Sequence, residues 1–106
     1  MTKYYTFVAS STPTTTDWVP AYSAEVPALV ARHGGRYLAL TAEIDRLQGE
    51  GEVPWVISIV EWPSKEAAEA FFADPGYLPH LDARLAGTSG VAYLLPATDE
   101  DNNSLL

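Results

Sequence analysis

A handful of side chains in this 106-residue sequence can move a proton or hold an anionic oxygen: His33, Arg36, Glu61, Tyr77, His80 and Arg84. The imidazole of His33 titrates near neutral pH (about 6.5), which suits a general acid or base. It also closes an apolar stripe just before two glycines, where a histidine ring satisfies the last carbonyls of a helix. Arg36 follows those glycines and can grip a carboxylate through two parallel N–H bonds, or pair with Glu61. Glu61 ends a β-branched run, on the face shared by Ile57 and Ile59. A carboxylate there is either paired, with Arg36 or Arg84, or left with a raised pKa in a pocket. Tyr77 and Arg84 are seven apart, two helical turns along one face, and either line a cleft wall together or cover core edges. Tyr37, with Tyr22 and Trp18, Trp55 and Trp62, belongs to an aromatic set that lines a ligand site or fills the core and an interface. His80 stands alone and reads as solvated.

These residues must be positioned by ordinary elements. Lys3 to Ser10 alternates Tyr5, Phe7 and Ala9 with Tyr4, Thr6 and Val8, the period of a strand. Ser and Thr then lead to Asp17, a good N-cap for a helix carrying Tyr22, Val26, Leu29, Val30 and His33 on one stripe. Pro20 fits the first turn, whereas Pro27 predicts a bent or two-part helix ending at Gly34-Gly35. Arg36 to about Leu47 is strand-like, with Tyr37, Ala39 and Thr41 on one face and Leu38 and Leu40 on the other. Residues 48–52 are turn material. Trp55 to Trp62 is apolar on both faces, as a central strand is. Pro63-Ser64 opens a helix through Phe72, and Asp74-Pro75-Gly76 stops it. A second helical piece runs from Tyr77 to Leu85, with Leu78, Leu81 and Leu85 at helical spacing. Val91 to Pro96 supplies the last strand.

Composition narrows the function. Apolar residues make up 47% and charged residues 19%, which is globular. Six Lys and Arg against 14 Asp and Glu give a net charge of −8, the wrong sign for nucleic acid or for an anionic membrane surface. With no cysteine and two isolated histidines, no metal-ligand spacing exists. Gly34-Gly35 follows a helix instead of preceding one, so it is no phosphate loop. Flavin, nicotinamide and haem binding lack a supporting pattern, and no cofactor is expected. Apolar runs fall far short of the ~20 residues that span a bilayer, no leader-like pattern opens the sequence, and cytoplasmic residence is expected.

The order β-α-β-β-α-β is the ferredoxin-like α+β plan with a four-stranded antiparallel sheet. Residues 1–97 form this one domain, and 98–106 an acidic, solvated tail. Helices cover one sheet face. The other stays partly apolar, which predicts a homodimer paired sheet to sheet, a dimeric α+β barrel with clefts at its edges.

The strings His33-Gly34-Gly35-Arg36-Tyr37-Leu38, Leu47-Gln48-Gly49 and Val60-Glu61-Trp62-Pro63-Ser64, followed by Ala67-Ala68, Phe72, Tyr77 and Arg84, resemble the domain of unknown function 1330 family. The resemblance spans nearly the whole chain and implies the same barrel. It also implies a superfamily that houses cofactor-independent monooxygenases, isomerases and cyclases, and some haem enzymes. Gln48 and Gly76 depart from the family pattern, which usually has Glu at both places. The reading is a dimer binding a small apolar or aromatic acid. In its enzymatic form His33 or Glu61 moves a proton, while Arg36, Tyr37, Tyr77 and Arg84 hold and shape the substrate. The alternative is a non-catalytic ligand-binding or accessory dimer in which the same charges form ion pairs.

Overall fold

The computed structural model describes residues 2–98; of the expected tail, all but residue 98 lies outside them. Its elements are β1 (Tyr4–Ser10), α1 (Val19–Arg32), β2 (Arg36–Thr41), β3 (Val56–Trp62), α2 (Lys65–Phe72), α3 (Leu78–Gly87) and β4 (Gly90–Pro96). The strands form one antiparallel sheet in the order β2-β3-β1-β4, the ferredoxin-like arrangement. Extents of 42 × 37 × 17 Å fit one sheet under one helical layer.

Strand periodicity decides what each face carries. Thr6 lies opposite Val60, and Tyr4 opposite Trp62; these even-numbered positions face the helices. Val26, Leu29, Val30, Val60, Trp62, Ala68, Phe71 and Tyr77 pack there as the core, and the indole of Trp62 donates to Thr6 Oγ1 at 3.0 Å. Tyr5, Phe7, Ile57 and Ile59 point the other way, beside the exposed Val91, Tyr93 and Leu95 of edge strand β4.

Several local expectations change. Asp17 does not cap α1. Its N–H is drawn to Thr15 Oγ1, the N-cap is Trp18, and no side chain caps the helix there. Pro20 does sit in the first turn, but α1 runs unbroken through Pro27, because Val26, Leu29 and Val30 are buried on either side of it. His33 is the C-cap and Gly34 takes φ +79°, the left-handed turn that ends the helix. β2 stops at Thr41, not near Leu47: Thr41 Oγ1 accepts the Glu43 N–H at 2.9 Å and turns the chain. Within β2 the pairing shifts between Tyr37 and Ala39, so Tyr37 faces Val60 and Leu40 faces Ser58. Tyr37 and Leu40 therefore share the helix side, against the simple alternation. In α3 the buried residues are Arg84 and Gly87, with Leu81 packed beside the core, while Leu78 and Leu85 face out. Gly87 is required by contact: a Cβ there would meet the Trp18 indole at 2.6 Å.

Candidate functional site

The helices do not close fully on the sheet. Between them lies a cavity of about 380 Å³, lined by Trp18, Tyr22, Tyr37, Trp62, Phe71, Phe72, Tyr77 and Arg84, with Thr6, Ser10 and Ser58 from the strands. A second hollow of about 240 Å³ lies toward β4, and Thr6 and Phe72 line both. The main cavity lies within one chain, between its sheet and its own helices. Aromatic rings on α1, β2 and the α2–α3 junction hold the layers apart.

Each element delivers its side chain for a local reason. Tyr22 begins the buried stripe of α1, one turn before Val26. Tyr77 is the N-cap of α3, after Asp74 Oδ1 accepts the Gly76 N–H at 2.7 Å and tightens the turn. Two helical turns later Arg84 interrupts an otherwise apolar buried face. Trp18 is held over the cavity by its indole N–H to the Thr15 carbonyl (2.8 Å) and by edge contacts to Tyr22 and Trp55.

The polar content is narrow. Arg84 is 8% exposed and is the one charged residue among those lining the cavity. Its Nη2 donates to the Tyr77 hydroxyl over 3.4 Å, and Tyr77 shares a 3.0 Å hydrogen bond with the Tyr22 hydroxyl. The buried Nε of Arg84 has no acceptor, and no carboxylate among the described residues pairs with this guanidinium. Either tyrosine can donate in their mutual bond; in both orientations one phenolic hydrogen is left over. Burial pushes the Tyr22 phenol far above its ordinary value of 10.0, with Tyr77 adding to the rise. Burial and Tyr77 act the same way on Tyr37. These phenols stay protonated. The site is a set of donors around one unneutralised cation, which stabilises an anion.

Tyr37, Tyr77 and Arg84 are thus brought together. His33, Arg36 and Glu61 are not. His33 Nε2 lies 2.7 Å from Asp74 Oδ2, and that hydrogen bond, helped by the Gly76 N–H, holds Asp74 below its ordinary carboxylate value. Glu61 Oε1 receives Arg36 Nη2 at 3.1 Å and Lys3 Nζ at 3.5 Å, and the Arg36 bond leads in lowering its pKa. Glu61 lies on the sheet side opposite the cavity, so it is a paired carboxylate and never meets Arg84. His80 is not solvated: it is bonded to Glu25 and lies edge-on to Tyr22. Among the described residues no three His, Asp or Glu side chains gather as metal ligands. Tyr22, in sequence one of an aromatic set that suits a ligand site or the core equally, lines the cavity and bonds Tyr77; a tyrosine on an apolar stripe shows only its hydroxyl as a sign of the first role.

Against known proteins, a family model described as Domain of unknown function (DUF1330) matches residues 3–98. The chain belongs to the DUF1330 family. No curated protein matches it. This DUF1330 chain is similar in structure to RPA0582 of Rhodopseudomonas palustris, a protein of unknown function, with TM-score 0.74 and 18% identity over 92% of this chain and 83% of that one. It is similar also to SnoaB of Streptomyces nogalater, a cofactor-independent oxygenase, with TM-score 0.58 and 20% identity over 92% and 93%. At these identities the DUF1330 chain and SnoaB share a fold. No helix among the described residues is long and apolar enough to cross a membrane.

Proposed function

We propose that the cavity binds a small, largely apolar or aromatic acid, with its anionic oxygen on Arg84 and Tyr77, and that the protein is a cofactor-independent enzyme acting on that anion. One observation carries this: a buried arginine with an unsatisfied Nε and no carboxylate partner among the described residues. An uncompensated buried charge costs several kcal/mol, and a ligand carboxylate or enolate removes that cost. The aromatic lining favours a flat apolar body. Isomerisation, cyclisation and oxygen attack all pass through such an anion, and SnoaB, of the same fold, is an oxygenase that works without a cofactor. His33 and Glu61, occupied by Asp74 and Arg36, have no substrate-facing part in this reading. A non-catalytic binding protein is the second reading, favoured by the lack of Asp, Glu or His among the cavity-lining residues. The proposal includes a second copy of the chain across the uncovered sheet face, where Tyr93 and Leu95 lie open to water.

The test is calorimetric titration with 2-naphthoate and its neutral counterpart 2-naphthylmethanol. The acid is expected to bind more tightly, and Arg84→Gln to remove the preference, a loss of about 1.5–3 kcal/mol for a charged hydrogen bond. Equal affinity for acid and alcohol in the unmodified protein would defeat the proposal.

A further inference from the structure

We infer that the cavity takes its ligand already ionised: the described residues that line it supply donors for an anionic oxygen and no carboxylate or imidazole to remove the proton. The inference rests on the anion-binding reading above and narrows it to a substrate class. The ligand is an acid that ionises by itself near neutral pH, such as a carboxylic acid, an acidic phenol or a stabilised enol. A neutral carbon acid that needs an enzyme base is excluded.

Every element around the cavity contributes side chains beside Arg84. From α1 comes Tyr22 and from β2 Tyr37, phenols that burial keeps protonated, and from the junction before α3 Tyr77, whose hydroxyl is bonded to that of Tyr22. Strands β1 and β3 present hydroxyls and apolar side chains, among them Thr6, Ser10 and Ser58. From α2 come only Phe71 and Phe72. His80 on α3 lies edge-on to Tyr22 with its Nε2 bonded to Glu25, and it is not among the residues that line the cavity. His33 and Asp74 hold each other at the far end of α1. Of the three indoles that line the cavity, Trp18 and Trp62 spend their N–H groups on the Thr15 carbonyl and Thr6, and the N–H of Trp55 is a further donor, never an acceptor. What remains for a ligand is Arg84 Nε, one hydrogen of the Tyr22–Tyr77 pair, the Trp55 N–H and the hydroxyls of Tyr37, Ser10, Ser23 and Ser58, with no carboxylate or imidazole among them. A proton on the ligand would compete with the first of these and find no acceptor of adequate basicity. It must be lost to water before entry.

The experiment uses the whole chain and three phenols of falling acidity: 4-nitrophenol, 4-cyanophenol and 4-chlorophenol. Affinity is measured by calorimetry across pH, and the ionisation of bound 4-nitrophenol by its visible absorbance. Each phenol is expected to lose affinity about tenfold per pH unit below its own pKa, so the three midpoints shift with the ligand. Bound 4-nitrophenol should absorb as the phenolate at a pH where the free compound is neutral. A midpoint common to all three phenols, which would mean that a protein group accepts the proton, overturns the inference. So does binding of the neutral phenol as tight as that of the phenolate. Failure of all three phenols while 2-naphthoate still binds overturns it too, and leaves the anion site standing. With Arg84→Met, phenolate and phenol should bind alike; the pH series on the unmodified protein decides the matter even if that variant folds poorly.

Discussion

Two arginines divide the molecule. Arg36 is 68% exposed at a strand end, with Glu61 at 3.1 Å. Arg84 is 8% exposed beneath the helices, with no carboxylate partner among the described residues. Around Arg36, and around His33 with Asp74, each charge has found its opposite, and these ends are complete as they stand. Among the described residues, the side chains that line the cavity with Arg84 offer hydroxyls and indole N–H groups and no carboxylate or imidazole. In water an unpaired cation costs nothing special; under the helices it is expensive, and a fold keeps it only where something else supplies the negative charge. The finished region braces, and the unfinished one is where the proposed acid would complete the structure.

The contrast can be pressed from its largest effect to its smallest. Trp62→Ala removes the side chain that joins sheet, α2 and cavity floor. It should cost about 3–5 kcal/mol in chemical denaturation, far more than any change at Arg36. Arg84→Met is the sharper case: replacing an uncompensated buried charge by an apolar side chain of similar length should stabilise the protein by about 1–4 kcal/mol while abolishing acid binding. A destabilised Arg84→Met variant would mean that Arg84 holds the fold, and the contrast would collapse. Tyr22→Phe removes the hydroxyl bonded to Tyr77 and should weaken 2-naphthoate by about 1 kcal/mol in calorimetry, with little loss of stability. The smallest effect is in acid. Glu61 and Asp74 have pKa values below their ordinary 4.5 and 3.8. The stability they contribute is therefore complete above those values and fades as pH falls through the lower folded-state values. Glu61→Gln and Asp74→Asn should each flatten the acid side of a melting-temperature profile and leave pH 7 ligand affinity unchanged.

Much of this was legible in the residues. Seven-residue spacing placed Tyr77 and Arg84 on one face, the β-branched run fixed β3 at the sheet centre, and Ser64 capped α2 by accepting the Ala67 N–H at 3.1 Å. What stayed hidden depended on tertiary contact. The leucines of α3 point to a stripe through Leu78 and Leu85, but Trp18 seated on Gly87 rotates the helix so that Arg84 goes in and those leucines go out. The register shift in β2 carries no composition signal, since Leu38, Ala39 and Leu40 suit either face. A hollow between layers is invisible to periodicity, because a ring that packs and a ring that props look the same in a sequence. His33 and Glu61 drew notice as titratable groups, whereas the cavity is distinguished by lacking them.

Phe72 has one further consequence. Its ring borders both hollows, so it is a partition, and its size sets how long a guest the protein admits. Shaving it to alanine should merge the chambers into a channel running out toward β4. A naphthoate bearing an alkyl tail would then gain on the unsubstituted compound, and the tail length at which affinity stops rising would measure the passage from inside.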